Sequence, residues 1–306
     1  MTSPDISADT TAPPNRRLPV SVVIPCYRCR DTIERALASI EAQTQQPLEV
    51  LLVDDCSGDG TLELLHELSR RHERLETFHE SLETFHESLE TFHDSDWIRV
   101  IALPGNVGPA SARNIGWDMA AGEFIAFLDA DDHWHPQKLQ WQYLHMQQHP
   151  QTALCGHALA RTSAETHQEI GEVSMRPISA RQLLFGNPIA PTSAMLRKEL
   201  PLRFREGHRH MEDHLLWMEI ALRDYSVTCL GARLAYQHKA PFGQGGLSAQ
   251  LWSMERADLN NYLLLHQSGK LRIPWLLVLW LWSLIKFARR LVIACVPFLL
   301  AKQMPR

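Results

Sequence analysis

Two apolar segments that each stop abruptly at a cluster of aspartates constrain the fold of this chain more than any other sequence feature. The segments are 48–53 and 123–128, and the aspartates that follow them are Asp54, Asp55, Asp129, Asp131 and Asp132. Short apolar runs bounded by turn residues indicate buried strands. Carboxylates crowd together at strand ends only where a cation or an array of hydrogen-bond donors compensates their charge. We therefore expect a polar binding cleft at these strand ends.

Strands alternate with helices along the first half of the chain. A third apolar run, residues 20–24, precedes an amphipathic helical pattern over residues 31–43. This alternation predicts an α/β fold with a doubly wound, mostly parallel sheet flanked by helices. Ligands of such sheets bind at the carboxyl ends of the strands. Both acidic loops should therefore face one crevice.

The Asp-x-Asp spacing of Asp129 and Asp131 suits a hard divalent cation that also holds a diphosphate. Such a cation takes few protein carboxylates and completes its coordination shell with phosphate oxygens and water. An acidic turn between a strand and a helix is also a common helix cap, which leaves a purely structural role open. The motif predicts a nucleotide-diphosphate substrate bound with Mg²⁺ or Mn²⁺.

Four motifs, in this order, resemble the family-two glycosyltransferases, which have the GT-A fold. They are VSVVIPCY at 20–27, VDDCSGDGT at 53–61, NVGPASARNIG at 106–116 and FLDADDHWHPQKL at 127–139. The resemblance extends from about residue 18 to about residue 251. It implies inverting transfer of a sugar from a nucleotide-diphospho donor, and it does not identify the sugar.

The resemblance also implies roles for individual residues of the donor half. The nucleoside pocket would be formed by Pro25 and Tyr27, and the base would be held by Asp54 or Asp55. Arg113 would lie near the diphosphate, and the ribose and the metal would be held by Asp129 and Asp131. The remaining motif residues are better explained by turn, cap and backbone chemistry, and these are Asp59, Thr61, Asn106, Gly108 and Gly116.

Asp213 is the candidate general base, because the segment HMEDHLLW at 210–217 resembles the Glu-Asp dipeptide of this family at a helix start. Inverting transfer requires a base that takes the proton of the acceptor hydroxyl. Glu212 would be an orienting neighbour. A first-turn carboxylate is also favoured by the helix dipole alone, so a structural role stays open. The same dipole should lower the pKa of the carboxyl and keep it ionised at neutral pH.

Two further residues are candidates in the second half of the chain. His238 could add a metal ligand, although most of the 16 histidines are expected to be surface or hydrogen-bonded residues. Ser248 lies in a glycine-rich stretch that could close over the substrates and contact phosphate, and a plain connector would have the same composition.

The 306 residues divide into four predicted parts. Residues 1–17 resemble a disordered tail, 18–133 a nucleotide-sugar-binding half, 134–250 an acceptor-binding half, and 251–306 a C-terminal apolar and basic helical extension. The six scattered cysteines do not suggest a disulfide framework, which favours a reducing compartment. The CxxC spacing of Cys26 and Cys29 falls inside the sugar-transferase motif, so a redox or zinc role is not favoured.

The C-terminal extension is predicted to contact a membrane surface. The last 48 residues contain seven lysines and arginines and no acidic residue, although the whole chain has a net charge of −5. The apolar runs 273–285 and 291–301 are each too short to span a bilayer, and the cations between them disfavour a fused span. An in-plane or hairpin anchor on the inner face of the cell membrane fits better, with packing on the catalytic domain as the alternative.

Residues 75–95 contain three tandem copies of a heptad, LETFHES, with one Glu replaced by Asp in the last. The leucines and phenylalanines fall at spacings of three and four, which predicts that the repeats prolong the helix following Asp54 and Asp55 (74–95). A functionally neutral length variation explains them, and self-association through the apolar stripe is the alternative.

Three functions follow from the sequence. The preferred one is a metal-dependent glycosyltransferase of the cytoplasmic, membrane-peripheral type, which acts on a lipid-linked or glycan acceptor in cell-envelope glycan synthesis. A nucleotidyltransferase could share the fold, but it should have a glycine-rich basic loop where residues 25–31 read PCYRCRD. A catalytically silent nucleotide-sugar-binding scaffold is the third. No nucleic-acid partner is expected.

Overall fold

The computed structural model describes residues 6–7, 17–83, 97–160, 170–238 and 250–301, and for 6–7, 73–83 and 293–301 it describes the backbone alone. Ser248 and the repeat residues 84–95 therefore lie outside the described residues. So does most of the N-terminal segment, of which strand β1 (Ile6–Ser7) pairs with β8 (Glu172–Val173).

Nine strands form the central sheet, in the order β4-β3-β2-β5-β10-β7-β11-β6, with β9 paired to β11. Their bounds are β2 Leu18–Cys26, β3 Pro47–Asp54, β4 Ile98–Ala102, β5 Phe124–Phe127, β6 His133–Trp134, β7 Thr152–Ala160, β9 Met175–Pro177, β10 Met195–Arg197 and β11 Ser226–Tyr236. The helices are α1 Ile33–Glu41, α2 Thr61–Glu83, α3 Pro109–Met119, α4 Lys138–Gln148, α5 Ala180–Phe185, α6 Glu212–Ala221, α7 Leu251–Gln267 and α8 Ile273–Ala301, with a 3₁₀ turn (η1) at Pro191–Ser193.

The predicted α/β architecture is confirmed. Strands β2 to β5 are parallel to one another, so the loops after β2, β3 and β5 leave the same edge of the sheet. The short strand β10 then joins β5 to β7, antiparallel to both. This strand connects the half that contains the acidic loops to the half that contains α6.

Both faces of the sheet are covered by buried apolar side chains. Val23, Leu51 and Val53 point to one face, against α3 and the helices of the second half. Their neighbours along the strands point to the opposite face, against α1 and α2. Because successive side chains of a strand alternate between faces, continuous apolar runs are the signature of strands covered on both sides.

Gly116 allows α3 to lie close to the sheet. A Cβ atom at this position would overlap the side chain of Val23 and would lie 3.2 Å from Val53 Cγ2. The predicted backbone role is therefore correct, but its reason is close approach, since Gly116 is an ordinary helical residue. Trp117, the next residue, is fully buried and donates its indole N–H to the Lys198 carbonyl (2.9 Å).

The C-terminal helices α7 and α8 pack against each other and against α5 and α6. The two apolar runs and the cations between them form one continuous helix, α8, so the predicted hairpin between the runs is wrong. Trp280 donates to the Leu259 carbonyl (3.1 Å) and Trp282 to the Phe185 carbonyl (2.8 Å). Among the described residues, no helix combines the length and apolar character needed to cross a bilayer.

Helix α2 contains the first copy of the heptad repeat, because it continues from Thr61 to Glu83. The cysteines whose side chains are described are free thiols, and they are buried except Cys56, which is exposed in the loop after β3.

Candidate functional site

Both aspartates at the end of β3 are held by donors of neighbouring loops. Asp54 accepts hydrogen bonds from the backbone N–H (3.3 Å) and the hydroxyl (2.5 Å) of Ser57. Asp55 accepts the backbone N–H groups of Val107 (2.6 Å) and Gly108 (2.9 Å), just before α3. Both residues are buried. Because each carboxylate oxygen can accept two hydrogen bonds, both side chains retain acceptor capacity.

The surrounding loop residues have the local roles predicted for them. Asn106 donates its side-chain amide to the Asp55 carbonyl (3.0 Å), and Gly108 has a φ of 86°, a left-handed conformation that favours glycine. Asp59 accepts the backbone N–H (3.1 Å) and the hydroxyl (2.6 Å) of Thr61, the first residue of α2. These residues shape the edge of the cleft.

The loop after β2 forms the neighbouring wall. Pro25 is half-buried near the end of strand β2, and Tyr27, just after the strand, is 48% exposed. Arg28 has its guanidinium carbon 5.3 Å from the centroid of that ring, and its backbone N–H donates to Ser57 Oγ (3.0 Å). The loops after β2 and β3 are thereby joined.

Arg113 of helix α3 joins the loop after β5 to the start of α6. Its guanidinium donates to Asp129 Oδ1 (2.7 Å) and to Glu212 Oε1 (2.9 Å), and the residue is 5% exposed. The guanidinium also lies over the Phe204 ring, 5.6 Å from its centroid. The residue next to Glu212 is Asp213, so this single side chain brings the acidic loop after β5 close to the candidate base.

The charges at this junction influence one another strongly. Although burial alone disfavours the charged guanidinium, the Asp129 and Glu212 carboxylates raise the pKa of Arg113 above its ordinary value. Burial raises the pKa of Asp129, and the neighbouring carboxylate of Asp131 adds to this effect, while Arg113 opposes it. Burial likewise raises the pKa of Glu212 against the opposing effect of Arg113. The site therefore contains more carboxylates than cations.

Asp213, half-buried in the first turn of α6, has a pKa above its ordinary value, so the predicted lowering by the helix dipole is wrong. Burial is the largest cause, and it outweighs the opposing hydrogen bond from Asn187 and the charge of His214. Asn187 donates its side-chain amide to Asp213 Oδ2 (2.7 Å). A carboxylate with a raised pKa is a stronger base while it is ionised, which suits proton abstraction near neutral pH.

Replacing Asn187 by Ala should shift the acid limb of the kcat–pH profile to higher pH. The lost hydrogen bond stabilises the ionised carboxylate, so the pKa of Asp213 rises further and the base form is lost earlier as the pH falls. Profiles of kcat between pH 5 and pH 9 measure the shift. The exposed Asn260 of α7, replaced by Ala, is the matched control, and an unshifted limb in N187A would contradict the contact.

The two predicted metal ligands lie at the same end of the paired strands β6 and β11. Asp131 comes two residues before His133 of β6, and His238 comes two residues after β11. His133 Nδ1 and His238 Nε2 are 2.6 Å apart, and the Asp131 carbonyl accepts a hydrogen bond from Arg35 (2.8 Å). No three His, Cys, Asp or Glu side chains of the described residues form a metal-binding group by themselves.

These donors fit a divalent cation that is bound together with its substrate. Mg²⁺-type sites of nucleotide enzymes use one or two carboxylates and take further ligands from phosphate oxygens and water. The carboxylates of Asp129 and Asp131 are close enough for one to raise the pKa of the other. This proximity is the arrangement that a cation would stabilise.

Three contacts of the site could not be read from sequence motifs. Asn187 belongs to no motif, and His133 lies inside the motif at 127–139 but was assigned no role there. Arg209 donates to Asn106 Oδ1 (2.6 Å) across the cleft. The only sequence signal that could have indicated Arg209 was the run of basic residues at 203–210, just before Glu212 and Asp213.

Comparison with known protein families gives a match to the model "Glycosyl transferase family 2" over residues 21–203. An Escherichia coli protein, the UDP-Glc:alpha-D-GlcNAc-diphosphoundecaprenol beta-1,3-glucosyltransferase WfgD, is 29% identical over 212 residues, 69% of this chain and 72% of WfgD. A Bacillus subtilis (strain 168) glycosyltransferase, TuaG, ascribed to teichuronic acid biosynthesis, is 36% identical over 40% of each chain. The present chain thus spans well under two thirds of TuaG.

Two solved structures share the fold. The mannosyltransferase PcManGT from Pyrobaculum calidifontis, in complex with GDP-Man and Mn²⁺, superposes with a TM-score of 0.60 at 18% identity, covering 96% of this chain and 81% of that one. TarS 1–349 of S. aureus, in complex with UDP-GlcNAc, superposes with a TM-score of 0.57 at 20% identity, covering 80% and 66%. At these identities the likeness concerns the fold, and it confirms the GT-A architecture predicted from the motifs.

Proposed function

The chain belongs to glycosyltransferase family 2, and from this we propose that it is an inverting enzyme of cell-envelope glycan synthesis. It would move a hexose from a nucleotide-diphospho-sugar to a hydroxyl group of a lipid-linked or polysaccharide acceptor. The observation that supports this most strongly is the pair of hydrogen bonds from Arg113 to Asp129 and Glu212. They join a donor-side loop to the helix that contains a candidate base.

The donor would lie along the strand ends. Its base stacks on Tyr27 beside Pro25 and donates hydrogen bonds to Asp54 or Asp55, while Asp129 binds the ribose. Arg113 offsets part of the negative charge of the diphosphate, and Ser248 would contact phosphate from its own loop. Pro25 is half-buried near the end of β2, Tyr27 is exposed in the loop after it, and Asp54, Asp55, Asp129 and Arg113 are held by hydrogen bonds near the loops after β3 and β5.

A divalent cation, Mg²⁺ or Mn²⁺, would be held by Asp131, with His238 as a further ligand. When bound, it supplies Lewis-acid stabilisation of the negative charge that develops on the leaving diphosphate. The excess of carboxylates over cations at the site supports its presence. The short His133–His238 contact would have to rearrange for His238 to bind a metal.

Asp213 would take the proton of the acceptor hydroxyl as that oxygen forms a bond to the anomeric carbon. The bond between the anomeric carbon and the diphosphate oxygen breaks on the opposite face, and the nucleoside diphosphate leaves with the bonding electrons. Glu212 is held by Arg113 and therefore orients the first turn of α6 and does not compete for the proton. Asn187 orients the base itself.

A UDP-hexose donor and a lipid-linked acceptor are the substrates that the relatives favour. WfgD is named for transfer of glucose from UDP-Glc to a diphosphoundecaprenol-linked sugar, and TarS has been solved with UDP-GlcNAc. A lipid-linked acceptor also fits the C-terminal helix, where Trp275, Leu277, Val278 and Leu281 are at least 45% exposed. With Arg289, which is exposed on the same helix, this face would bind an anionic inner membrane surface.

A thermal-shift screen of nucleotide sugars with and without Mn²⁺ tests the proposed function. UDP-glucose or UDP-GlcNAc should raise Tm only when Mn²⁺ is present, because the cation is proposed to hold the diphosphate. A ligand that binds the native state alone stabilises it by about 2.7 kcal/mol at 100 times its Kd. Transfer to a GlcNAc-diphospho-lipid, followed by mass spectrometry, identifies the acceptor class. A shift with ATP or UTP but with no nucleotide sugar would instead favour the nucleotidyltransferase.

A further inference from the structure

Helix α6, which contains the candidate base, begins with an unfavourable backbone conformation. Met211, the residue before Glu212, has a φ of 55°, and no side chain caps the helix start. A non-glycine residue in this region is unfavourable, so it persists only where surrounding contacts hold it. One such contact comes from α7, where the buried Asn261 donates its side-chain amide to the Met211 carbonyl (2.8 Å).

A second contact from α7 lies directly behind the base. His214 is fully buried, with Nε2 2.6 Å from the Leu183 carbonyl and Nδ1 3.3 Å from the Asp258 carboxylate. Both atoms that face the ring are oxygens, so His214 bridges the end of α5 and helix α7. Although burial disfavours charge, His214 and Lys286 hold the pKa of Asp258 well below its usual range.

The Asp258 carboxylate also accepts hydrogen bonds from helix α8. Ser283 donates to Asp258 Oδ2 (2.7 Å), and the Lys286 ammonium lies 3.1 Å from the same oxygen. These groups have no part in the proposed chemistry, yet they are buried in an environment where unpaired charge is costly. Through Asp258, Ser283 and Lys286 connect α8 to His214, the residue after the candidate base.

Helix α7 also holds the segment that contains Asn187. The Tyr262 hydroxyl donates to the Leu184 carbonyl (3.0 Å) at the end of α5, three residues before Asn187. His214 contacts the neighbouring Leu183 carbonyl from the other side. Both the helix start behind Asp213 and the loop that orients its carboxylate are therefore fixed by α7.

We propose that Asn261 and Asp258 are positioning residues that hold the Asp213 carboxylate in its productive geometry. This inference rests on the proposed function, because it assigns α7 a role in the reaction only if Asp213 is the base. The C-terminal helices then form part of the catalytic framework in addition to any contact they make with a membrane. Removing either contact lets the first turn of α6 relax, and a displacement of about 1 Å can lower a rate by about 10²-fold.

The variants N261L and D258N, made in the full chain, test the inference. With UDP-glucose as the donor probe, we expect kcat to fall by about 10–100-fold while the KM for UDP-glucose and the Kd for UDP with Mn²⁺ stay within about twofold. The conservative variants N261Q and D258E, which retain the donor group and the charge, should recover part of the rate. Rates are normalised to the fraction of molecules that bind UDP, so loss of folded protein does not imitate the effect.

Lys270 provides the matched control. It contacts the same helix α6 from the C-terminal segment, at Glu219 (3.3 Å), in the turn farthest from Asp213. Normalised rates of N261L and D258N no lower than that of K270Q would overturn the inference. If instead D213N itself remained fully active, the assigned base would be wrong, and that failure is separate from a failure of α7 to position it.

Discussion

Replacing Asp213 by Asn is expected to lower kcat by about 10²–10⁴-fold, the range supplied by a positioned general base. Asparagine has nearly the same shape, and its carbonyl oxygen can still accept the hydrogen bond that Asn187 donates to Asp213 (2.7 Å). The variant therefore removes the proton acceptor and leaves the local geometry in place. Affinity for UDP with Mn²⁺, measured by calorimetry, should stay within about twofold, because Asp213 is assigned no donor contact.

Asp224 offers an isosteric control for this measurement. It is exposed just after the same helix and has a φ of 61°, which Asn tolerates well. D224N should therefore retain full activity. Equal turnover in D213N and the unsubstituted enzyme would refute the assigned base, while donor binding with no turnover in either would indicate a silent sugar-nucleotide scaffold.

Replacing Arg113 by Met is expected to destabilise the fold by about 3–5 kcal/mol and to abolish donor binding. The substitution leaves the buried Glu212 carboxylate and the partly buried Asp129 carboxylate without their shared cation, and removal of one partner of a buried ion pair costs about this much. Urea unfolding measures the stability, and UDP titration with Mn²⁺ measures the binding. R71M is the control, because Arg71 pairs with Glu67 on the exposed surface of α2, where such a pair contributes about 1 kcal/mol or less.

The loss of stability in R113M should also depend on pH. Arg113 lowers the pKa values of Asp129 and Glu212, so both rise further in its absence. A carboxyl whose folded pKa exceeds its unfolded value binds protons more tightly in the native state, so it favours folding increasingly as the pH falls. The difference in unfolding free energy between R113M and the unsubstituted protein should therefore shrink between pH 7.5 and pH 5. A difference in unfolding free energy that does not change with pH would mean that other groups offset the charges of Asp129 and Glu212 in R113M.

The strands and the acidic loops could be predicted because their signals are local. A continuous apolar run such as that of β3 reports burial on both faces, and the aspartates after it mark the strand end. Alternation of strands and helices then places those ends at one edge. The short antiparallel strand β10 was not anticipated, since three residues give no periodic pattern of their own.

The contacts that assemble the site could not be predicted, because they join distant segments. Arg113 and Glu212 are separated by 99 positions in the chain, and no local pattern specifies which of the 30 basic residues reaches that carboxylate. The direction of the Asp213 pKa was mispredicted for the same reason. A helix dipole can be inferred from sequence, whereas the burial that outweighs it depends on tertiary packing.

The exposed thiol of Cys56 makes the edge of the sheet proposed to bind the nucleotide accessible to a chemical reporter. It directly follows Asp54 and Asp55, and the other cysteines with described side chains are buried. A maleimide fluorophore attached there would sit beside the loops after β2 and β3 and could signal ligand entry by a change in emission. The same geometry makes this position the first thiol of the cleft that an electrophilic substrate analogue would alkylate.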